Sequence, residues 1–442
     1  MSVRSTALFT DRYELTMLEA ALRDGTAGRR CVFELFTRRL SGGRRFGVLA
    51  GTGRLLSLIR DFRFDDDELR FLRDHRVVDA ATLTFLESYR FTGSVRGYRE
   101  GELYFPGSPV LTIEGTFAEA VVLETIALSV MNYDSAVATA AARMSIAAGD
   151  RPLAEMGSRR AGEHSAVAAA RAAYIAGFGA TSNLEAGRAW GIPTMGTAAH
   201  SFTLLHDSEE AAFRSQIEAL GTGTTLLVDT YDIRAGVETA IRVAGTGLGG
   251  VRIDSGDLPI VAAEVRTQLD ELGATGTKIT VTSDLDEYAI ATLAAAPVDA
   301  YGVGTSLVTG SGTPTAGMVY KLVARQADDG AWVSVAKAST DKASKGGRKA
   351  AFRMLDHGTA TQELIVVSDG FEAVDTSVDH PDARALQVDL VEDGTIDTSY
   401  EDNAGVARAR EHHARVREEL PVQALALSRS DPAIPTVYMD AE

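Results

Sequence analysis

The middle of the chain alternates short β-type runs with helical stretches, and this alternation restricts the possible folds more than any other feature. The β-type runs are Arg151–Met156, Gly191–Met195, Thr224–Asp229, Gly250–Ile253, Lys278–Thr282 and Ala300–Gly304. The helical stretches between them are Ala166–Gly177, Glu209–Leu220, Ile233–Ala244, Leu258–Leu272 and Asp286–Ala294. Strand–helix alternation predicts a parallel sheet, and six such units favour an irregular parallel α/β barrel. A doubly wound open sheet is the alternative.

Three regions with different patterns of predicted helices and strands indicate the domain organisation. Residues 1–115 are expected to form an N-terminal α+β domain, and residues 116–310 the barrel. Residues 311–442 return to α+β texture and are expected to pack with the N-terminal domain. The elements expected outside the alternating region are strands at Val32–Phe36, Gly93–Tyr98, Met318–Ala324 and Ala331–Lys337, and helices at Glu119–Ser129, Ser135–Ala148 and Ala404–Glu418.

Composition excludes several classes of function. The chain has 442 residues with 44 Lys and Arg against 61 Asp and Glu, a formal charge of −17 that disfavours binding to nucleic acid or anionic membranes. A single cysteine, Cys31, excludes a disulfide framework and a cysteine-built zinc site. No apolar run is long enough to span a membrane and the N-terminus lacks an apolar signal core, so we expect a cytoplasmic protein.

Polar residues follow the β-type runs of the middle region. In a parallel α/β barrel, the carboxyl ends of the strands form the active face. The polar segments at these positions are Glu155–Arg160, Gly196–Ser201, Asp229–Asp232, Asp254–Asp257 and Gly302–Thr305.

The segment Arg252–Asp257 concentrates charge around a tight Ser-Gly turn. Arg252 and Asp254 share the same alternation, so both can point into the barrel mouth. Its two carboxylates suit hydroxyl binding or a magnesium–diphosphate group. The structural alternative is a helix N-cap at Asp254 or Asp257.

His200 follows small residues at a strand end, where a neutral imidazole could act as a base or accept a phosphoryl group. A structural histidine is equally compatible with the sequence. Asp229 could hold an imidazolium or could cap the helix that starts near Ile233.

Three further segments suggest anion binding. Glycines in Gly302–Thr305 allow backbone N–H groups to approach a phosphate, although such a turn is often structural. The pair Arg159 and Arg160 could clamp a carboxylate or phosphate, or could be surface charge. Lys342–Lys349 places four cations in a Gly-rich stretch that suggests a mobile lid over an anion or an ordinary solvated loop. Together these signals predict a phosphorylated sugar substrate with more than one phosphate.

Six motifs in order resemble those of the nicotinate phosphoribosyltransferase family, which has the type II phosphoribosyltransferase fold. They are Thr10–Met17, Glu155–Ala161, Gly196–Phe202, Val228–Tyr231, Arg252–Leu258 and Gly302–Thr305. The resemblance implies that nicotinate and phosphoribosyl pyrophosphate give nicotinate mononucleotide and pyrophosphate, with ATP as co-substrate and Mg²⁺ as cofactor. It also implies a homodimer whose active sites are shared between subunits.

The resemblance assigns a role to each matching residue. His200 corresponds to the histidine that ATP phosphorylates, and Asp229 orients it. Arg159 and Arg252 frame the pyridine carboxylate and the phosphates. Further roles fall on Tyr13 (stacking on the pyridine across the dimer), Asp254 (ribose hydroxyls), Asp257 (indirect Mg²⁺ binding or bracing of the loop), and Gly304 and Thr305 (5′-phosphate).

Gly196 affects whether the enzyme uses nicotinate, an acid, or nicotinamide, an amide, as its substrate. Related nicotinamide-using enzymes carry an Asp at this position, which would repel a carboxylate, whereas Gly196, Ser201 and the arginines favour an anion. A nicotinamide or quinolinate phosphoribosyltransferase, and a non-catalytic nucleotide sensor on the same fold, remain the alternatives.

Overall fold

A computed structural model describes residues 5–336, 345–368 and 382–441. The chain forms two compact units, Met1–Thr139 with Thr313–Glu442, and Ala140–Gly312. The expected boundary at residues 115/116 is therefore wrong. Residues 117–139 belong to the first unit because Val121, Leu123 and Met131 pack in its hydrophobic core.

Residues 5–148, the described N-terminal part of the chain, contain six α-helices and five strands. The helices are α1 (Arg12–Asp24), α2 (Thr52–Asp61), α3 (Asp66–Asp74), α4 (Ala80–Glu87), α5 (Phe117–Val121) and α6 (Glu124–Ala148). The strands are β1 (Arg30–Thr37), β2 (Gly47–Val48), β3 (Ser94–Tyr98), β4 (Leu103–Tyr104) and β5 (Leu111–Thr116). Two separate helices were expected where α6 runs without a break. The stretch Val130–Asp134 inside it contains neither Gly nor Pro to end a helix.

The second unit consists of parallel strands and their connecting helices. The strands are β6 (Leu153–Glu155), β7 (Ala180–Thr181), β8 (Thr225–Leu227), β9 (Gly250–Ile253), β10 (Lys278–Val281) and β11 (Ala300–Val303). The helices are α7 (Glu163–Ile175), α8 (Leu184–Trp190), α9 (His200–Leu205), α10 (Glu209–Leu220), α11 (Ile233–Ala244), α12 (Leu258–Glu271), α13 (Glu287–Thr292) and α14 (Thr305–Val308).

The remaining elements come from the C-terminal part. They are β12 (Met318–Gln326), β13 (Trp332–Ser334), β14 (Arg348–Asp356), β15 (Thr359–Ser368), β16 (Ala383–Ala385), β17 (Gln387–Glu392), β18 (Thr395–Ile396), α15 (Asn403–Arg417) and β19 (Thr436–Asp440).

The sheet of the second unit has the order β7-β6-β11-β10-β9-β8, and every strand pair in it is parallel. It curls into a half-barrel, which confirms the α/β class and the parallel barrel-type sheet. The predicted strand Gly191–Met195 is reduced to one bridge, from Thr194 to Thr181. Pro193 has no N–H for a ladder and supplies only its carbonyl, which accepts from the Thr181 N–H at 3.0 Å.

The first unit interleaves both ends of the chain in one sheet of order β13-β12-β1-β5-β3-β17-β18. Central β1 pairs antiparallel with β12 on one side and with β5 on the other. A four-stranded sheet, β16-β14-β15-β19, and the pair β2-β4 complete this unit. Within the described ranges, no helix has both the length and the hydropathy needed to cross a bilayer.

The cationic stretch predicted as a lid is largely bound to carboxylates. The Lys349 side chain is only 3% exposed and forms an ion pair of 2.7 Å with Glu34. Arg348 pairs with Glu114, and the Lys345 ammonium lies 2.7 Å from Asp440. Lys342 lies outside the described residues. The idea of a free lid is therefore wrong for these three cations, because acidic side chains of their own unit neutralise them.

Glu14 anchors the start of α6 to α1. Its buried carboxylate accepts from the Thr125 N–H at 2.9 Å and from the hydroxyls of Thr10 and Thr125. Burial raises the pKa of Glu14 to about 7, although these hydrogen bonds oppose the shift.

Candidate active site

The carboxyl ends of the parallel strands surround a cavity of about 490 Å³ in the second unit. Eight of the residues singled out from the sequence line it: Arg159, Arg160, Gly196, Arg252, Asp254, Gly302, Gly304 and Thr305. They come from the carboxyl-terminal ends of β6, β9 and β11, from the residues that follow these strands and from the segment before α9, so chain topology brings together residues that are far apart in sequence.

Three arginines, Arg159, Arg160 and Arg252, line the cavity and give it its positive character. Arg252 lies on β9 and donates a hydrogen bond to the hydroxyl of Thr197, while Arg159 lies in a 3₁₀ turn after β6. Burial lowers the pKa of Arg252, and the charge of Arg159 lowers it further, against the opposing carboxylates of Asp254 and Asp229. Like charges that line one cavity favour an anionic ligand that neutralises them.

A hydrogen-bonded chain joins β8, β9 and α9 beside this cavity. The Asp229 side chain accepts from the Asp254 N–H at 2.8 Å and from the Ser255 hydroxyl at 2.7 Å. Its other oxygen lies 3.1 Å from Nε2 of His200. The imidazole is 41% exposed while the Asp229 side chain is fully buried, so a rigid carboxylate orients an accessible ring.

Asp254 itself faces the cavity and accepts a hydrogen bond from the Thr282 hydroxyl. Ser283, next along the chain, has a φ of 111°, which is unusual for a residue other than glycine. Strained backbone of this kind concentrates at binding sites, where the surrounding structure holds it in place.

Close packing explains one glycine of the Gly302–Thr305 turn. A Cβ at Gly302 would lie 2.7 Å from both the Met156 sulfur and a Thr282 methyl group. Gly304 and Thr305 follow at the cavity edge, where α14 begins.

Comparison with known proteins agrees with this geometry. The family model for the nicotinate phosphoribosyltransferase (NAPRTase) N-terminal domain matches residues 8–132. Nicotinate phosphoribosyltransferase pncB1 of Mycobacterium tuberculosis is 55% identical over 440 residues, covering 97% of this chain and 94% of the relative. The chain belongs to the nicotinate phosphoribosyltransferase family.

Two further relatives support the family assignment. The nicotinate phosphoribosyltransferase of Bacillus subtilis is 39% identical, covering 81% of this chain and 75% of that protein. The crystal structure of human nicotinic acid phosphoribosyltransferase superimposes with a TM-score of 0.80 at 27% identity, covering 97% of each chain.

Five residues that the family resemblance singled out are not among the residues that line the cavity: His200 and Asp229, described above, and Ser201, Asp257 and Tyr13. Ser201 is exposed on α9, and Asp257 is exposed just before α12. Tyr13 lies in the first unit on α1, where its hydroxyl is hydrogen-bonded to Glu124 and its side chain is partly exposed. Their roles in a nicotinate phosphoribosyltransferase stay predictions.

The helix-cap alternatives are resolved by the structure. Asp232, and not Asp229, caps α11 by accepting from the Ala235 N–H at 2.8 Å. Asp257 occupies the N-cap position of α12 but its side chain makes no capping hydrogen bond. Capping therefore accounts for neither Asp229 nor Asp254.

The sequence reasoning missed several supporting residues. Thr197, Thr282 and Ser255 hold Arg252, Asp254 and Asp229 respectively. Thr197 and Ser255 lie in strand-end segments already singled out, and Thr282 ends the predicted β-type run Lys278–Thr282, so the same positional rule could have found them. Buried Glu155 binds the Thr181 hydroxyl at 2.5 Å and the Gly157 N–H, which shapes the turn that carries Arg159.

Among the described residues, no group of three or more His, Cys, Asp or Glu side chains could hold a metal ion. The cavity offers the carboxylates of Asp254 and Asp284. Mg²⁺ commonly binds through one or two carboxylates together with substrate phosphates, so this donor set suits an ion that arrives with its substrate.

Proposed function

We propose that this chain transfers the phosphoribosyl group of phosphoribosyl pyrophosphate to nicotinate, giving nicotinate mononucleotide and pyrophosphate in a salvage route to NAD. The observation that carries the proposal is the convergence of Arg159, Arg252 and Asp254 on one cavity, with the His200–Asp229 pair at its side. The names of the relatives agree with it.

The proposed reaction forms a bond from the pyridine nitrogen to C1′ of the ribose and breaks the bond from C1′ to the pyrophosphate oxygen. Positive charge develops on the ribose in the transition state. The Asp254 carboxylate accepts hydrogen bonds from the ribose hydroxyls and stabilises that charge. Arg159 and Arg252 bind the nicotinate carboxylate and phosphate oxygens, and Gly304 and Thr305 bind the 5′-phosphate. Asp254 and Asp284, with Asp257 acting indirectly, would hold a Mg²⁺ ion that arrives with the substrate, and the ion would supply positive charge that stabilises the leaving pyrophosphate.

We assign ATP coupling to His200. A carboxylate can only accept, so Asp229 selects the tautomer with its proton on Nε2 and leaves a lone pair on Nδ1. This lone pair can attack the γ-phosphorus of ATP, which forms an N–P bond and releases ADP. Hydrolysis of that phosphohistidine returns the free imidazole and phosphate.

Selectivity for the acid would rest on Gly196. Among the described residues, no heavy atom lies within 4 Å of a Cβ built at this position, so an added carboxylate would have room at the cavity wall. Because glycine places no carboxylate at position 196, no negative charge at this part of the wall repels the carboxylate of nicotinate, which favours nicotinate over nicotinamide.

We further propose a cytoplasmic homodimer, in which Tyr13 stacks on the pyridine bound by the partner subunit. The support is that four large apolar side chains close together in the sequence, Leu8, Phe9, Tyr13 and Met17, are exposed. Phe9 is 65% exposed, and burial of such side chains is a common driving force for association.

The deciding experiment offers the purified protein nicotinate, nicotinamide or quinolinate with phosphoribosyl pyrophosphate, with and without ATP, and measures mononucleotide formation. We expect nicotinate mononucleotide, formed faster with ATP. Product from either other base alone would assign a different phosphoribosyltransferase, and binding without turnover would indicate the sensor. Light scattering across a dilution series tests the dimer, and Phe9→Asp should weaken it.

A further inference from the structure

A second, smaller cavity lies in the first unit, far along the chain from the parallel strands. It has a volume of about 190 Å³ and is lined by three arginines, Arg60, Arg63 and Arg90. They come from the end of α2 and from the segment before β3, and the β17–β18 turn closes the cavity with Gly394.

Two of these arginines have no carboxylate partner among the residues that the structure describes. Arg60 is paired with Glu401 and lies 3.7 Å from Asp61. Within the described ranges, neither Arg63 nor Arg90 forms an ion pair within 4 Å. Arg90 donates one hydrogen bond, to the Tyr89 carbonyl. A guanidinium has five N–H donors, so most of their binding capacity is unused in a chain of net charge −17.

Part of the wall of this cavity is apolar and well packed. Phe62 and Phe91 are buried, and the Phe62 ring packs edge-on against Tyr89 at a centroid distance of 5.5 Å. Gly394 has a φ of 79°, and a Cβ there would lie 3.0 Å from the Phe91 carbonyl oxygen. Because Phe62 and Phe91 directly precede or follow Arg63 and Arg90 in the chain, this packing fixes the backbone of both arginines, whose side chains are exposed and can meet an anion from solvent.

We propose that this cavity binds one phosphate group through Arg63 and Arg90. Two planar guanidinium forks match the oxygens of a tetrahedral dianion. The volume is below the roughly 300 Å³ at which sites for whole small-molecule ligands begin, so an ion or a single terminal phosphate fits better than a nucleotide. Free inorganic phosphate and the phosphate of a mononucleotide share this chemistry.

The test is calorimetric titration of the full-length protein with inorganic phosphate in a phosphate-free buffer. The Arg159→Ala background reduces phosphate binding at the strand-end cavity, which keeps this result separate from the proposed function. In that background we expect binding to remain and to weaken at least tenfold when Arg63→Ala and Arg90→Ala are added. Arg70→Ala is the matched control, because that exposed arginine pairs with Asp67 at 2.7 Å and lies outside the cavity.

Equal phosphate affinity with and without Arg63 and Arg90 would overturn the proposal, as would an equal loss with Arg70→Ala. Thermal unfolding of each variant identifies loss of fold. If the alanine variant does not fold, the double variant Arg63→Lys, Arg90→Lys tests the same site with the charges kept. Its phosphate affinity should be intermediate between that of the wild type and that expected for the alanine variant. Competition by nicotinate mononucleotide distinguishes the two phosphate sources. Displacement indicates the terminal phosphate of a mononucleotide, and no displacement indicates the free ion.

Discussion

Replacement of Asp229 by Asn tests the orienting role of this carboxylate while changing almost no volume. One Asp229 oxygen accepts two hydrogen bonds, from the Asp254 N–H and the Ser255 hydroxyl, and the other faces His200. An amide has a single acceptor oxygen, so it can serve only one side. Two donors outweigh one, and we expect the amide oxygen to stay with Asp254 and Ser255 and the NH₂ to face the imidazole.

The consequence for His200 is a reversed tautomer. An NH₂ facing Nε2 requires a lone pair there and moves the proton to Nδ1, which removes the proposed nucleophile. The opposite amide orientation restores the lone pair on Nδ1, but it leaves the Asp254 N–H and the Ser255 hydroxyl without an acceptor, at a cost of about 2–3 kcal/mol. That cost corresponds to a loss of roughly 100-fold in the rate at which ATP phosphorylates the histidine.

The assay measures acid-labile label on the protein from γ-³²P-ATP, together with nicotinate mononucleotide formation without ATP. Asp229→Asn should lose the labelling about 100-fold and retain the ATP-independent reaction within a few-fold. Asp232→Asn is the matched control, because it removes the same charge nearby and Asn caps a helix as well as Asp does. Labelling of Asp229→Asn at the rate of the Asp232→Asn control would refute the tautomer argument.

Three further substitutions are expected to give defined results. His200→Ala should abolish ATP stimulation and the acid-labile label while some ATP-independent turnover remains, and unchanged stimulation would remove the histidine from the coupling. Gly196→Asp should lower kcat/KM for nicotinate at least tenfold and raise the relative use of nicotinamide, whereas the neutral Gly196→Asn should not; identical behaviour of both would refute charge as the cause. Because burial raises the pKa of Glu14 to about 7 from 4.5, its ionisation should cost the wild type about 3 kcal/mol of unfolding free energy as the pH rises from 4.5 to 8. Urea unfolding across this range should show no such loss for Glu14→Gln, and parallel pH profiles would contradict the prediction.

The alternation of the middle region predicted most of its elements because each helix there has its own local signals. Helices α10 and α11 have the predicted bounds, each preceded by a side chain that caps it, Ser208 and Asp232. Short elements were missed: β7 has two residues and α9 has six, too few for a periodic pattern. The unit boundary was also missed, since α6 continues through it and only tertiary packing assigns each half of the helix.

The positional rule for strand ends was more informative about the site than any single motif. Asp229 and Asp232 have the same side chain three residues apart, and each could have been a helix cap or a site residue from sequence alone. The structure separates them by geometry, because Asp232 reaches the first turn of α11 while Asp229 turns towards β9 and the imidazole. That difference depends on where β9 lies beside β8, which is a long-range pairing that no local pattern encodes. Local sequence can therefore identify strand-end carboxylates as candidate site residues, but the order of the strands in the sheet determines which of them lie where they can act on a ligand.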